Sequence, residues 1–257
     1  MSKAREPIFN IPAVVVVVLA ALGLIHALRV FLLSTDADRL FLAVFAFVPA
    51  RYEWNELLSG GWEFGAAIWT FVTYALIHAS FMHLGFNAVW LLAFGSAVAR
   101  RFGTWRFLLF FALSAAAGAI AHLVSNIGDE AVMIGASGAI SGTMGAAARF
   151  AFQRGGPLDP WSEAGDRAYR IPAAPLFVSL RNPRVLGFVG AWFGLNLLFG
   201  LGSLSITGDE QSIAWQAHVG GFLAGLLLFA LFDPVRPRAD FDDETDMHDE
   251  EVPRIAP

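Results

Sequence analysis

Ser137 and His218 are the two side chains of this sequence whose types could do chemistry on each other. Ser137 stands in Gly135-Ala136-Ser137-Gly138 at the start of one apolar segment, and His218 follows Ala217 inside another. Polar groups within a membrane are costly unless partnered or wet, which makes them candidates for function. A neutral imidazole can take the proton of a serine hydroxyl, leaving an oxygen able to attack a carbonyl carbon. Gly135 permits backbone angles that other residues resist, and a serine just after such a turn falls near a helix N-terminus. Free N–H groups and the helix dipole favour negative charge there, as an acyl-transfer oxyanion requires.

The spacing also says how the two residues would meet. Gly138, Ser141, Gly142 and Gly145 form a strip of small residues beside Ser137, while His218, Gly221 and Gly225 fall at i, i+3 and i+7 on one face of the last apolar segment. Two such faces let helix backbones approach closely, bringing the serine and histidine within reach. His83 and Asn87, at i and i+4, add a polar strip whose N–H groups could point at a carbonyl oxygen becoming negative. Singly, Ser137 could cap a helix and His218 could bond across a bundle; together they favour nucleophile and base. A metal site is disfavoured, because the chain has no cysteine, no HExxH arrangement and no carboxylate on these faces.

The elements that must position these residues are apolar helices. Hydrophobic residues make up 56% of the 257, only 15% are charged, and the mean hydropathy is +0.59. That composition predicts an all-α integral membrane protein, with the lipid bilayer as a partner. Six segments approach the length that spans a hydrocarbon core: Ile11–Leu33, His83–Val98, Trp105–Val124, Ile134–Phe152, Val185–Leu201 and Ile213–Phe232. The first is too long for a secretory signal and lacks a clean cleavage site, so it reads as a retained helix. Of 17 basic residues, only Arg29, Arg39 and Arg51 fall on the outer side of a six-span arrangement. The bias predicts cytoplasmic termini. The same placement explains the basic residues by topology, and no nucleic-acid partner is expected.

Between the first two spans, residues 34–82 are too long for a turn and carry many Phe and Trp, which predicts short amphipathic helices partly embedded in the outer leaflet. Residues 1–8 read as a cytoplasmic N-terminus, 9–232 as the membrane domain and 233–257 as an acidic, solvated tail. His26 and His122 lie near outer helix ends, where interfacial histidines are affordable, and His248 lies in the tail. Trp90, Trp105, Trp192 and Trp215 read as packing or interface anchors. No repeat, dinucleotide fingerprint or phosphate-binding loop is present, and no cofactor is expected.

The run His78-Ala-Ser-Phe-Met-His83-Leu-Gly-Phe-Asn87, then Gly135-Ala-Ser137-Gly138, then Ala217-His218-Val-Gly-Gly221-Phe-Leu-Ala-Gly225, resembles in order and spacing the motifs of rhomboid intramembrane serine proteases. The likeness extends over most of Trp69 to Phe232. It implies a six-transmembrane-helix rhomboid-like bundle of the basic bacterial type, in the inner membrane, that cuts transmembrane segments of other proteins through a Ser–His dyad. Ser137 then matches the nucleophile and His218 the general base. His83, Asn87 and the Ser137 N–H match the oxyanion-stabilising groups, and His78 a structural histidine. Two positions depart from the family pattern. Ser141 stands where an aromatic residue often packs on the histidine, and Trp69-Thr70 replaces a common Trp-Arg pair. The rival readings are an inactive rhomboid-like protein that binds membrane clients, and a small transporter. Loss of the serine or histidine would mark the first, and charged relays or broken-helix repeats the second; the sequence shows neither.

Overall fold

The computed structural model describes residues 11–53, 62–160, 165–200 and 214–235. The expected N-terminal stretch 1–8, His248 and the acidic tail beyond residue 235 lie outside the described residues. Within them the chain is helical, with a single isolated β-bridge and no strand. The principal helices are α1 (Ala13–Leu32), α2 (Thr35–Phe45), α3 (Trp62–Thr73), α4 (Phe81–Phe102), α5 (Thr104–Ser125), α6 (Ser137–Ala148), α7 (Pro183–Gly200) and α8 (Trp215–Phe232).

Four of these, α1, α4, α5 and α8, are long and apolar enough to cross a membrane. The predicted fourth span, Ile134–Phe152, is helical only over the 12 residues of α6. Its first residues, from 134 to 136, are not helical: they follow Met133, which exchanges backbone hydrogen bonds with Phe47 at 2.8 and 3.2 Å, and pass through Gly135 at φ +124°, while residues 149–152 are turns. The remaining predicted spans agree with observed helices to within a few residues.

α6 is the hub of the bundle. Every residue from Gly138 to Ala148 is buried, against α8, α5 and α4. Small side chains make this possible: a Cβ on Gly221 would lie 2.8 Å from the Gly138 carbonyl carbon, and one on Gly225 would lie 2.7 Å from the Cα of Gly142. α8 therefore touches α6 backbone to backbone, as the glycine faces predict. α5 joins the same contact, with Gly118 facing the Ala217 carbonyl.

The described residues between α1 and α4 fold into helical pieces. α2 begins at an N-cap, where Ser34 Oγ accepts from the Ala37 N–H at 3.3 Å, with Asp36 and Asp38 in the first turn. Phe47, Tyr52, Phe71 and Tyr74 form an aromatic cluster under the bridge to Met133. Trp69 Nε1 donates to Val44 O at 2.8 Å. Thr70 is fully buried, and its hydroxyl meets Tyr52 Oη at 3.1 Å and an Arg51 nitrogen at 3.4 Å. Arg51 also donates to Ala43 O and Ala46 O.

Two basic residues counted above as loop charges are interior. Arg101 is 1% exposed, pairs with Asp233 through two bonds of 2.8 Å, and donates to the Tyr169 and Ile171 carbonyls. Arg149 is buried and donates to Leu226 O and Ala174 O. Both tie the chain between α6 and α7, which includes a 3-10 turn at Asp166–Arg170 and a short helix at Leu176–Leu180, to the half of α8 away from His218. His26 is likewise no interfacial side chain. It is 1% exposed, and its Nδ1 lies 3.1 Å from the His78 carbonyl.

Candidate active site

Ser137 is the first residue of α6, so its own N–H and those of Gly138 and Ala139 have no intrahelical acceptors, while Ile140 N–H already donates to Ala136 O. The turn that delivers it is fixed from both sides. Gly135 has φ +124°, outside the range open to ordinary L-residues, and its N–H donates to Tyr74 O at 3.0 Å. The backbone donor of this irregular turn is thus satisfied by protein.

His218 lies in the first turn of α8, facing Ser137. Its Nε2 is 2.7 Å from Ser137 Oγ. Close packing of Gly221 on Gly138, one turn along, sets this distance through the backbone. The predicted pair is therefore brought together, and by the predicted faces.

His83 comes from the start of α4, where Ser80 Oγ caps its backbone N–H at 3.2 Å. Its imidazole packs on the Cα of Gly135. A Cβ at residue 135 would stand 2.7 Å from both His83 Nε2 and Cε1, and 3.7 Å from Ser137 Oγ. Only glycine leaves room for this ring beside the serine. Asn87, one turn further, is 4% exposed and gives one N–H to His83 O at 3.0 Å, which leaves its second amide hydrogen. His78 is fully buried and meets His83 edge to face at a centroid distance of 5.1 Å. Its carbonyl accepts from Arg29, which pairs in turn with Asp38. This ties α1 and α2 to the approach of α4. Ser141 is buried one turn below Ser137 on α6.

One participant escaped the sequence reading. Asn196 of α7 is 8% exposed, and its Oδ1 makes a short hydrogen bond with His218 Nδ1. Its signal was present: a lone amide in the apolar run from Val185 to Leu201, where an intramembrane polar group asks for a partner. His122 is buried near the end of α5, beside Asn126 at 3.2 Å, and Trp215 packs on Gly200.

Chemically, the site holds a hydroxyl bonded to an imidazole, with free helix N–H groups and a second imidazole at the same turn. That arrangement can form an alkoxide-like nucleophile and receive the negative charge of a tetrahedral adduct.

The chain is similar to several known proteins. Rhomboid protease GlpG of Haemophilus influenzae is 24% identical over 165 residues, covering 64% of this chain and 70% of that protein. Rhomboid protease GlpG of Enterobacter sp. is 28% identical over 192 residues, covering 73% of this chain and 58% of that protein. Rhomboid protease GluP of Bacillus subtilis is 40% identical over 78 residues, 30% of this chain and 15% of that protein. The chain thus spans less than two thirds of the length of the last two. The Rhomboid domain family model matches residues 65–234, from the first turn of α3 to just past the end of α8 and across every residue of the site. This chain belongs to the rhomboid family.

Proposed function

We propose that this protein is an intramembrane serine endopeptidase that hydrolyses peptide bonds in or near transmembrane segments of other membrane proteins. The observation that carries the reading is the 2.7 Å contact between Ser137 Oγ and His218 Nε2, made across two glycine faces in an apolar bundle. A serine that served only as a helix cap would need no imidazole aimed at its oxygen.

In the first step Ser137 Oγ attacks the carbonyl carbon of the scissile peptide, and its proton passes to His218 Nε2. The carbonyl π pair moves onto oxygen, where the Ser137 N–H and the His83 and Asn87 side chains stabilise it. Collapse of the adduct breaks the C–N bond, and the leaving amine takes the proton from His218. Water then attacks the acyl-enzyme with His218 again as base, freeing the new carboxylate and restoring the serine. A substrate helix must unwind locally first, because a helix shields its own backbone carbonyls from attack.

Six spans, with α6 and α7 as the fourth and fifth, cytoplasmic termini and a bacterial inner membrane complete the proposal. The positive-inside bias of the sequence supports that orientation. The test is covalent. A fluorophosphonate probe should label the detergent-purified protein at Ser137, located by peptide mass spectrometry, and His218→Ala should suppress the labelling. Labelling that persists unchanged in Ser137→Ala would overturn the assignment.

A further inference from the structure

We propose that Asn196 is the positioning residue for the general base, its amide oxygen holding the Nδ1 proton of His218 so that Nε2 is left free to accept from Ser137. The inference rests on the reading of Ser137 and His218 as nucleophile and base.

The amide is oriented from behind. Asn196 Nδ2 donates to Trp192 O at 2.8 Å, one turn back on α7, which turns Oδ1 toward the histidine. An amide oxygen only accepts, so the facing Nδ1 must carry hydrogen. A neutral imidazole has one N–H, and its placement on Nδ1 leaves a lone pair on Nε2, the atom 2.7 Å from Ser137 Oγ. Asn196 thus selects the tautomer that can act as base. When the serine proton arrives at Nε2, the same oxygen accepts from an imidazolium, and such charge-assisted bonds are the stronger ones.

The contact is also braced. Trp192 stacks on Phe222 with centroids 4.3 Å apart and planes 23° from parallel. Residue 192 is one turn before Asn196 and residue 222 one turn after His218, so a single aromatic pair registers α7 against α8 at the height of the site. The outward side of α7 is otherwise apolar and exposed, with Phe193 and Leu195 among its residues. Asparagine in this place does the orienting work that a carboxylate or asparagine does in unrelated Ser–His and Cys–His sites.

The test uses the full chain in liposomes with a single-span fluorogenic reporter, comparing wild type with Asn196→Ala, Asn196→Leu and Asn196→Asp. Asn196→Ala and Asn196→Leu should lower kcat on the order of 10- to 100-fold with KM nearly unchanged, the signature of lost transition-state orientation. Asn196→Asp, which keeps an acceptor oxygen, should recover most of that loss. Independently of activity, nitrogen-15 spectra of histidine-labelled protein should show His218, assigned by its absence in His218→Ala, as the Nδ1–H tautomer. Asn196→Leu should turn it into a mixture.

Rescue by leucine would reduce the residue to packing and overturn the proposal. So would wild-type kcat in Asn196→Ala, or an Nε2–H tautomer in the wild type. If the wild type neither cleaves reporters nor takes a fluorophosphonate, the protease reading fails, and the tautomer spectrum still decides the Asn196 contact.

Discussion

Replacing Gly221 with alanine should pull the serine away from its base while leaving every reacting group in place. A Cβ at residue 221 would sit 2.8 Å from the carbonyl carbon of Gly138, and closer still to its oxygen. Unbonded carbons rest about 3.5–4.0 Å apart, so α8 must retreat from α6 by roughly 1 Å. Backbone is the obstacle, so no rotamer change relieves it. Gly138 is the neighbour of Ser137, and Gly221 is one turn from His218, so the retreat acts directly on the 2.7 Å Oγ–Nε2 contact. It would open to about 3.7 Å, beyond hydrogen-bond reach. A misplacement of that size costs on the order of 100-fold in rate, and the overpacking itself about 1–3 kcal/mol of stability. The assay is the initial rate of reporter cleavage in liposomes, with thermal unfolding measured on the same preparation. Gly23→Ala is the control, because nothing lies within 4 Å of the new methyl there. A folded Gly221→Ala protein cutting at the wild-type rate would refute the claim that helix contact sets the catalytic distance.

Gly135→Ala meets two obstacles, a φ of +124° and the His83 ring 2.7 Å away, and should cut cleavage by a similar factor, on the order of 100-fold, in the same reporter assay. Tyr74→Phe removes the 2.9 Å bond from Tyr74 Oη to Ala115 O and should destabilise by about 1 kcal/mol in thermal or denaturant unfolding, with kcat retained in the fraction that is folded. Asp233→Asn leaves the guanidinium of Arg101 buried without its counter-charge. It should cost about 3–5 kcal/mol in the same unfolding measurement, and the double variant with Arg101→Met should lose less than Asp233→Asn alone.

The pairing of Ser137 with His218 was legible because it is written twice, once in the residue types and once in the glycine faces that flank them. Period and composition alone bring those faces together. Gly135 was legible for the same reason: the turn it allows is local. The capping of His83 by Ser80 is local too, but its approach to Gly135 comes from two segments far apart in the chain. Asn196 escaped because a single amide on an apolar helix carries no spacing to another residue, and its partner was already assigned a role. Arg101 and Arg149 misled for a related reason. Topology assigns a basic residue near a span end to the aqueous side, while the Arg101–Asp233 pair, between residues 132 positions apart, appears only once α4 and α8 are packed. The fourth apolar segment looked longer than its helix because hydropathy does not distinguish helix from irregular chain: the turn at Gly135, φ +124°, delays the helix, and turns follow Ala148.

The most direct test of the central claim is cleavage of a single-span reporter in liposomes by the wild type, Ser137→Ala and His218→Ala, with product masses locating the cut. The account predicts that only the wild type cuts, at a peptide bond in or near the reporter's transmembrane segment. Equal cutting by all three, or no cutting by folded wild type across a varied reporter panel, would contradict it.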